Sequence, residues 1–127
     1  MTEPIRIANC SGFFGDRMSA AREMVEGGPI DVLTGDWLAE LTMLLLFRQK
    51  LKAGNGYART FLTQLEEVLG TCHDRGIRVV SNAGGLDPAL MGEAVEAATA
   101  SGDPGRREAD LRISPWMMFD DTPRSFR

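Results

Sequence analysis

The chain has 127 residues, 43% of them hydrophobic and 25% charged, with a formal net charge of −4 and a pI of about 5.0. These values suit one compact domain that buries its own core without a disulfide or metal staple, and they exclude a wholly disordered chain. They also exclude a basic footprint for DNA or RNA, so no nucleic-acid partner is expected.

Ile5 to Cys10 is a short β-prone run that ends in the turn formers Ser11-Gly12 and Gly15-Asp16. Met18 to Glu26 is rich in helix formers and stops at Gly27-Gly28-Pro29. Ile30 to Leu33 reads as a second strand, closed by Thr34-Gly35-Asp36. Trp37 to Lys52 is the strongest helix, with Asp36 placed as its N-cap and Arg48, Lys50 and Lys52 at its positive-charge-favouring end. This helix is apolar nearly all round through Leu41 to Phe47, so it needs cover on more than one side, from its own domain or from a surface outside this chain. After Gly54-Asn55-Gly56 a further helix, about Tyr57 to Asp74, sets Phe61, Leu62, Leu65, Val68 and Leu69 at helical spacing, with Gln64, Glu66 and Glu67 between them. Ile77 to Ser81 is the third strand, Asn82-Ala83-Gly84-Gly85 its loop, and Pro88 opens a last helix ending near Ala100.

The order β-α-β-α-α-β-α implies an α/β fold: parallel strands, right-handed crossovers and a Rossmann-like three-layer arrangement. Residues 1–100 form this domain. Composition shifts at Ser101: residues 101–127 hold half of the six prolines and five of the fourteen basic residues, and read as a loosely ordered tail whose Trp116-Met117-Met118-Phe119 could dock on the domain.

No positively charged leader precedes an apolar stretch, and the longest apolar run is too short to span a bilayer. A cytoplasmic protein without membrane contact is therefore expected. Cys10 and Cys72 form no metal-ligand or disulfide spacing, and no metal site is expected. The one histidine, His73, falls at the far end of a helix, away from the strand-end loops, which argues against a Cys–His or Ser–His–Asp couple.

In parallel α/β sheets, ligands bind where the carboxyl ends of the strands meet helix N-termini. Three loops qualify. In the first, Asn9, Ser11, Gly12, Gly15, Asp16 and Arg17 are candidate ligand-binding residues: free amides before a helix and a guanidinium suit an anion, although a tight glycine turn explains the same pattern. Phe13 and Phe14 read as core anchors or as a wall for an acyl or prenyl chain. In the second, Asp36 and Glu40, four residues apart on one helical face, could do acid/base work, or be only a cap and a dipole-favoured acid. In the third, Asn82 is a candidate for carbonyl polarisation and Gly84 and Gly85 for ligand binding, or the glycines simply make the turn.

At these loops the sequence resembles a known family. IANCSGFFGDRMSAAREMVEGGPIDVLTGDWLAELTMLLLFRQK, GYARTFLTQLEEVLG and IRVVSNAGGLDPA are similar to the N-terminal part of the acyclic terpene utilisation (AtuA-type) proteins, over about Ile5 to Ala97. The resemblance implies a role in breakdown of citronellol, geraniol and related branched acids as CoA thioesters, with an acyl-CoA or other anionic small molecule as ligand. It carries over no catalytic residue and no cofactor. Family members run to several hundred residues, and the Arg/Pro-rich tail from Ser101 does not resemble their continuation, so the chain is expected to be a truncated form or to change reading frame near Ser101. The alternative expectation is a non-catalytic interaction module that completes its sheet with a copy of itself or a downstream polypeptide, or an inactive fragment.

Overall fold

The computed structural model describes residues 3–102. Its elements are β1 (Ile7–Asn9), α1 (Ala20–Glu26), β2 (Val32–Gly35), α2 (Glu40–Ala53), α3 (Arg59–Arg75), β3 (Arg78–Ser81) and α4 (Pro88–Gly102). This is the α/β order read from the sequence. The three strands form one parallel sheet in the order β1-β2-β3. Helix α4 carries on through Gly102, past the composition change at Ser101. Residues 103–127, with the Trp116–Phe119 run, lie outside the described residues.

The register places Ala8, Leu33 and Val79 side by side, and alternation along parallel strands puts them on one face of the sheet. That face holds the core. Val25 of α1 and Phe61, Leu65, Val68 and Cys72 of α3 are buried with Leu33, joined by Trp37 and by Val95 of α4. Trp37 is 1% exposed and meets Phe61 edge-to-face, with ring centroids 4.9 Å apart at 71°. Gln64 departs from its reading as a polar-face residue: it is buried, and its side-chain amide donates to the carbonyls of Arg17 (2.9 Å) and Met18 (3.3 Å). A buried amide with both donors engaged avoids the desolvation cost of an unpaired one, and this one fastens α3 to the turn before α1.

At the lower edge of the sheet, the Arg6 guanidinium and backbone N–H both donate to the Asp31 carboxylate (2.8–3.1 Å), joining the segment before β1 to the segment before β2. The Arg75 guanidinium donates to the Val25 carbonyl at 2.7 Å and closes the end of α1.

Two expectations are corrected. First, among the described residues the helices cover one face of the sheet, giving two layers where three were expected. The cause is strand order: when β1, β2 and β3 follow one another without reversal, right-handed crossovers deliver every connecting helix to the same side. On the opposite face Ile7 is 64% exposed and Val80 58%. Second, the helix expected from Trp37 starts at Glu40. Its N-cap is Ala39, in extended conformation, and Asp36 does not cap it. Helix α2 then docks along a narrow line, with only Thr42 and Leu46 buried.

Among the described residues Trp37 is the largest fully buried side chain, so its removal leaves a cavity that the surrounding helices close only in part. Trp37→Ala is expected to lower the urea-unfolding free energy by about 3–5 kcal/mol. A loss under about 1 kcal/mol in the same titration would show that Trp37 does not anchor this core.

Candidate functional site

The three loops predicted to share a rim do so, and hydrogen bonds join them directly. The Cys10 amide donates to the Thr34 carbonyl at 2.8 Å, and the Asp36 amide to the Ser11 carbonyl at 2.9 Å, tying the first loop to the second. Asn82 ties the second loop to the third. Its side-chain oxygen accepts from the Trp37 amide at 2.9 Å, and its side-chain nitrogen donates to Asp36 Oδ1 at 2.6 Å.

The start of α2 at Glu40 follows from Ala39, whose extended backbone (φ −147°, ψ 170°) breaks any helix running on from Trp37. Before it, the Asp36 amide is held by Ser11, the Trp37 amide by Asn82 and the Leu38 amide (3.0 Å) by the Asp36 carboxylate. Asp36 and Glu40 are therefore not an i, i+4 pair on one helical face. The bonds from Asn82 and then from the Leu38 amide hold the Asp36 carboxyl below the usual aspartate range, so it stands as a carboxylate on an exposed part of the rim. Both contacts reach Oδ1.

In the first loop the expected anion cradle holds an anion of the chain's own. The Asp16 carboxylate accepts from the Gly12 amide at 2.9 Å and from the Arg17 amide at 2.7 Å, and these two bonds hold its pKa below the ordinary value. The Arg17 guanidinium pairs with Glu23 at 2.7 Å. Ser11 is buried, its hydroxyl donating to the Phe13 carbonyl at 3.0 Å and its amide to Asn9 Oδ1 at 3.4 Å. Gly15 takes a left-handed φ of 83°. Phe14 packs on the core, whereas Phe13 is 56% exposed, so the two aromatic residues divide between the two roles.

Behind the third loop, Gly84 is buried against Pro88. A Cβ there would lie 2.9 Å from that ring. Gly85 has φ +53°, and a Cβ on it would stand 2.5 Å from Leu46 and 2.7 Å from the Gly56 carbonyl. Gly85 serves close packing of the β3–α4 loop on α2 and the α2–α3 connection, and Gly84 the tight turn into α4. Asp87 completes that contact, accepting from the Gly56 amide at 2.6 Å and from Lys50 at 2.5 Å. Gln49 closes the same connection, donating to Asn55 and to the Tyr57 carbonyl. Sequence reasoning passed over Asp87 and Gln49, and read Lys50 only as a charge suited to the helix end. The acid directly before the proline that opens α4 was the one local sign.

Under the rim lies a cavity of about 10 Å³, lined by apolar side chains including Cys10, Leu33, Trp37, Phe61 and Val79. That is room for about one water molecule and far below a substrate. Burial pushes the Cys10 thiol up, and burial followed by repulsion from Cys10 pushes Cys72 up to about 11. Both remain protonated thiols, poor nucleophiles at neutral pH. Among the described residues no cluster of His, Cys, Asp and Glu could hold a metal ion.

The sequence model of the acyclic terpene utilisation family protein AtuA matches residues 5–113. The chain belongs to this family. The match takes in all three rim loops and continues past Ala100. AtuA membership points to a role in acyclic terpene utilisation. No curated protein and no solved structure matches the chain.

Removing the Asn82 amide orphans the Trp37 amide and one bond to Asp36. Asn82→Ala is expected to lower stability by about 1–3 kcal/mol and to move the Asp36 titration, followed by NMR, up toward the ordinary aspartate value. Because folding depresses the Asp16, Asp31 and Asp36 pKa values, their contribution is present above the unfolded value near 4 and is lost as pH falls through the folded values. A stability that stays flat between about pH 5 and 2, or an Asp36 titration unmoved in the variant, contradicts this reading of the rim.

Proposed function

We propose that this AtuA-family chain takes part in acyclic terpene utilisation as an interaction module, its exposed apolar surface being covered by another polypeptide. The observation that carries the reading is α2. Leu41, Leu44, Leu45, Phe47 and Leu51 are 39–72% exposed on this one helix, a concentration of apolar surface that marks an interaction site. The bare sheet face, with Ile7 and Val80, adds to it. The rim supports the reading from the other side. Asn82 uses both ends of its amide within the protein, and Asp16 occupies the Gly12 and Arg17 amides that an incoming phosphate would need. The reading places the work in the cytoplasm, in keeping with two cysteines that are both free thiols.

A second reading keeps a specific observation: an ionised Asp36 and a 56% exposed Phe13 stand on loops of one rim. In that reading the rim holds an acyl thioester, Phe13 lies along the acyl chain, and Asp36 or Glu40 handles a proton beside the carbonyl.

The two part in one titration. With a terpenoid acyl-CoA thioester added to isotopically labelled protein, the module reading expects the amide signals of Ser11, Gly12, Asp36 and Asn82 to stay in place. A saturable shift of those signals, abolished by Asp36→Asn, would overturn it in favour of the thioester site.

A further inference from the structure

We propose that the outer face of α2 pairs with the same face of a second copy of this chain, the two helices antiparallel across a two-fold axis. The inference rests on the interaction-module reading and names the partner. Helix α2 places its buried residues Thr42 and Leu46 on one side, and on the other a stripe built around Leu44, Phe47 and Leu51, flanked by Leu41. The four apolar side chains of this stripe, each about half exposed or more, together with the aliphatic stems of Arg48 and Lys52 present roughly 500 Å² per copy. Joining two such faces removes about 1,000 Å² in total, the lower bound for a specific interface. A two-fold contact needs a self-complementary surface, and this stripe meets the condition because its apolar residues lie along most of the helix.

The charges select the direction. Glu40 is the acid of the first turn, while Arg48 and Lys52 stand exposed towards the far end. Lys50, on the docking side, is already paired with Asp87. A parallel pair would set Glu40 beside Glu40 and Arg48 beside Arg48. An antiparallel pair sets the acidic end of each helix against the basic end of the other, twice by symmetry, and opposes the helix dipoles favourably. An anionic membrane fits less well, since it would meet Glu40 and a chain of net charge −4.

Light scattering on the full chain tests this. Wild-type protein is expected to approach twice its 13.9 kDa mass as concentration rises. Glu40→Arg alone, and Arg48→Glu with Lys52→Glu, are each expected to weaken the dimer about tenfold, and the triple variant carrying all three exchanges to recover it. These substitutions sit on exposed positions, and circular dichroism confirms that each variant is folded. A wild-type protein that stays at 13.9 kDa at every concentration overturns self-pairing. So does a dimer indifferent to the single exchanges, or one the triple variant fails to restore. A monomer in which cross-links join α2 to residues 103–127 overturns it in favour of the chain's own C-terminal segment. A monomer that co-sediments with anionic vesicles overturns it in favour of a membrane. Failure of the underlying module reading shows elsewhere, as thioester shifts at the rim.

Discussion

One side-chain amide organises the upper end of this molecule. Asn82, at the end of β3, accepts from the Trp37 amide and donates to the Asp36 carboxylate, joining two loops separated by more than forty residues. Because the Trp37 amide is held there, the indole turns down into the core against Phe61 and over Gly35, whose missing Cβ leaves room for the ring. Helix α2 starts only at Glu40, because Ala39 before it is extended. Its whole outward face follows from where it starts and from the line along which Thr42 and Leu46 meet the domain.

The same interaction determines what chemistry the rim offers. In many parallel α/β proteins the strand-end loops leave amides free for a ligand, and the crevice opens where strand order reverses. Here the three described strands run in simple succession, and the donors that would greet an anion are turned on Asp16, Ser11 and Asn82. The polar rim is closed on itself while the apolar surface of α2 stays open. Asp36, held below the usual aspartate range, stands as an ionised group on that rim, as does Asp16.

Much of the fold was legible because its signals are local. Each strand ends in a glycine-bearing turn, each helix shows its period or its stop signal, and parallel pairing follows from their alternation. The three motif segments carried the family likeness, and the loops they place together do meet. What the sequence hid depends on distant partners. Asp36 before an apolar run has the local form of an N-cap, but Ala39 is extended and the helix begins at Glu40, three residues later than the pattern suggests. Gln64 stands among acids in the sequence and looks like surface; its burial depends on the carbonyls of Arg17 and Met18, a turn elsewhere in the chain. The number of layers depends on strand order, which no local pattern encodes. The all-round apolar character of α2 told that cover was needed without telling that the domain itself supplies so little of it.

Native-state hydrogen exchange of the rim amides shows whether the rim is a closed clasp. In a closed clasp the Gly12, Arg17, Asp36 and Trp37 amides are protected despite lying in loops, with Trp37 approaching the protection of the α3 core. Exchange of the Trp37 and Asp36 amides at the rate of an open loop would contradict it, and would return those donors to the service of a ligand.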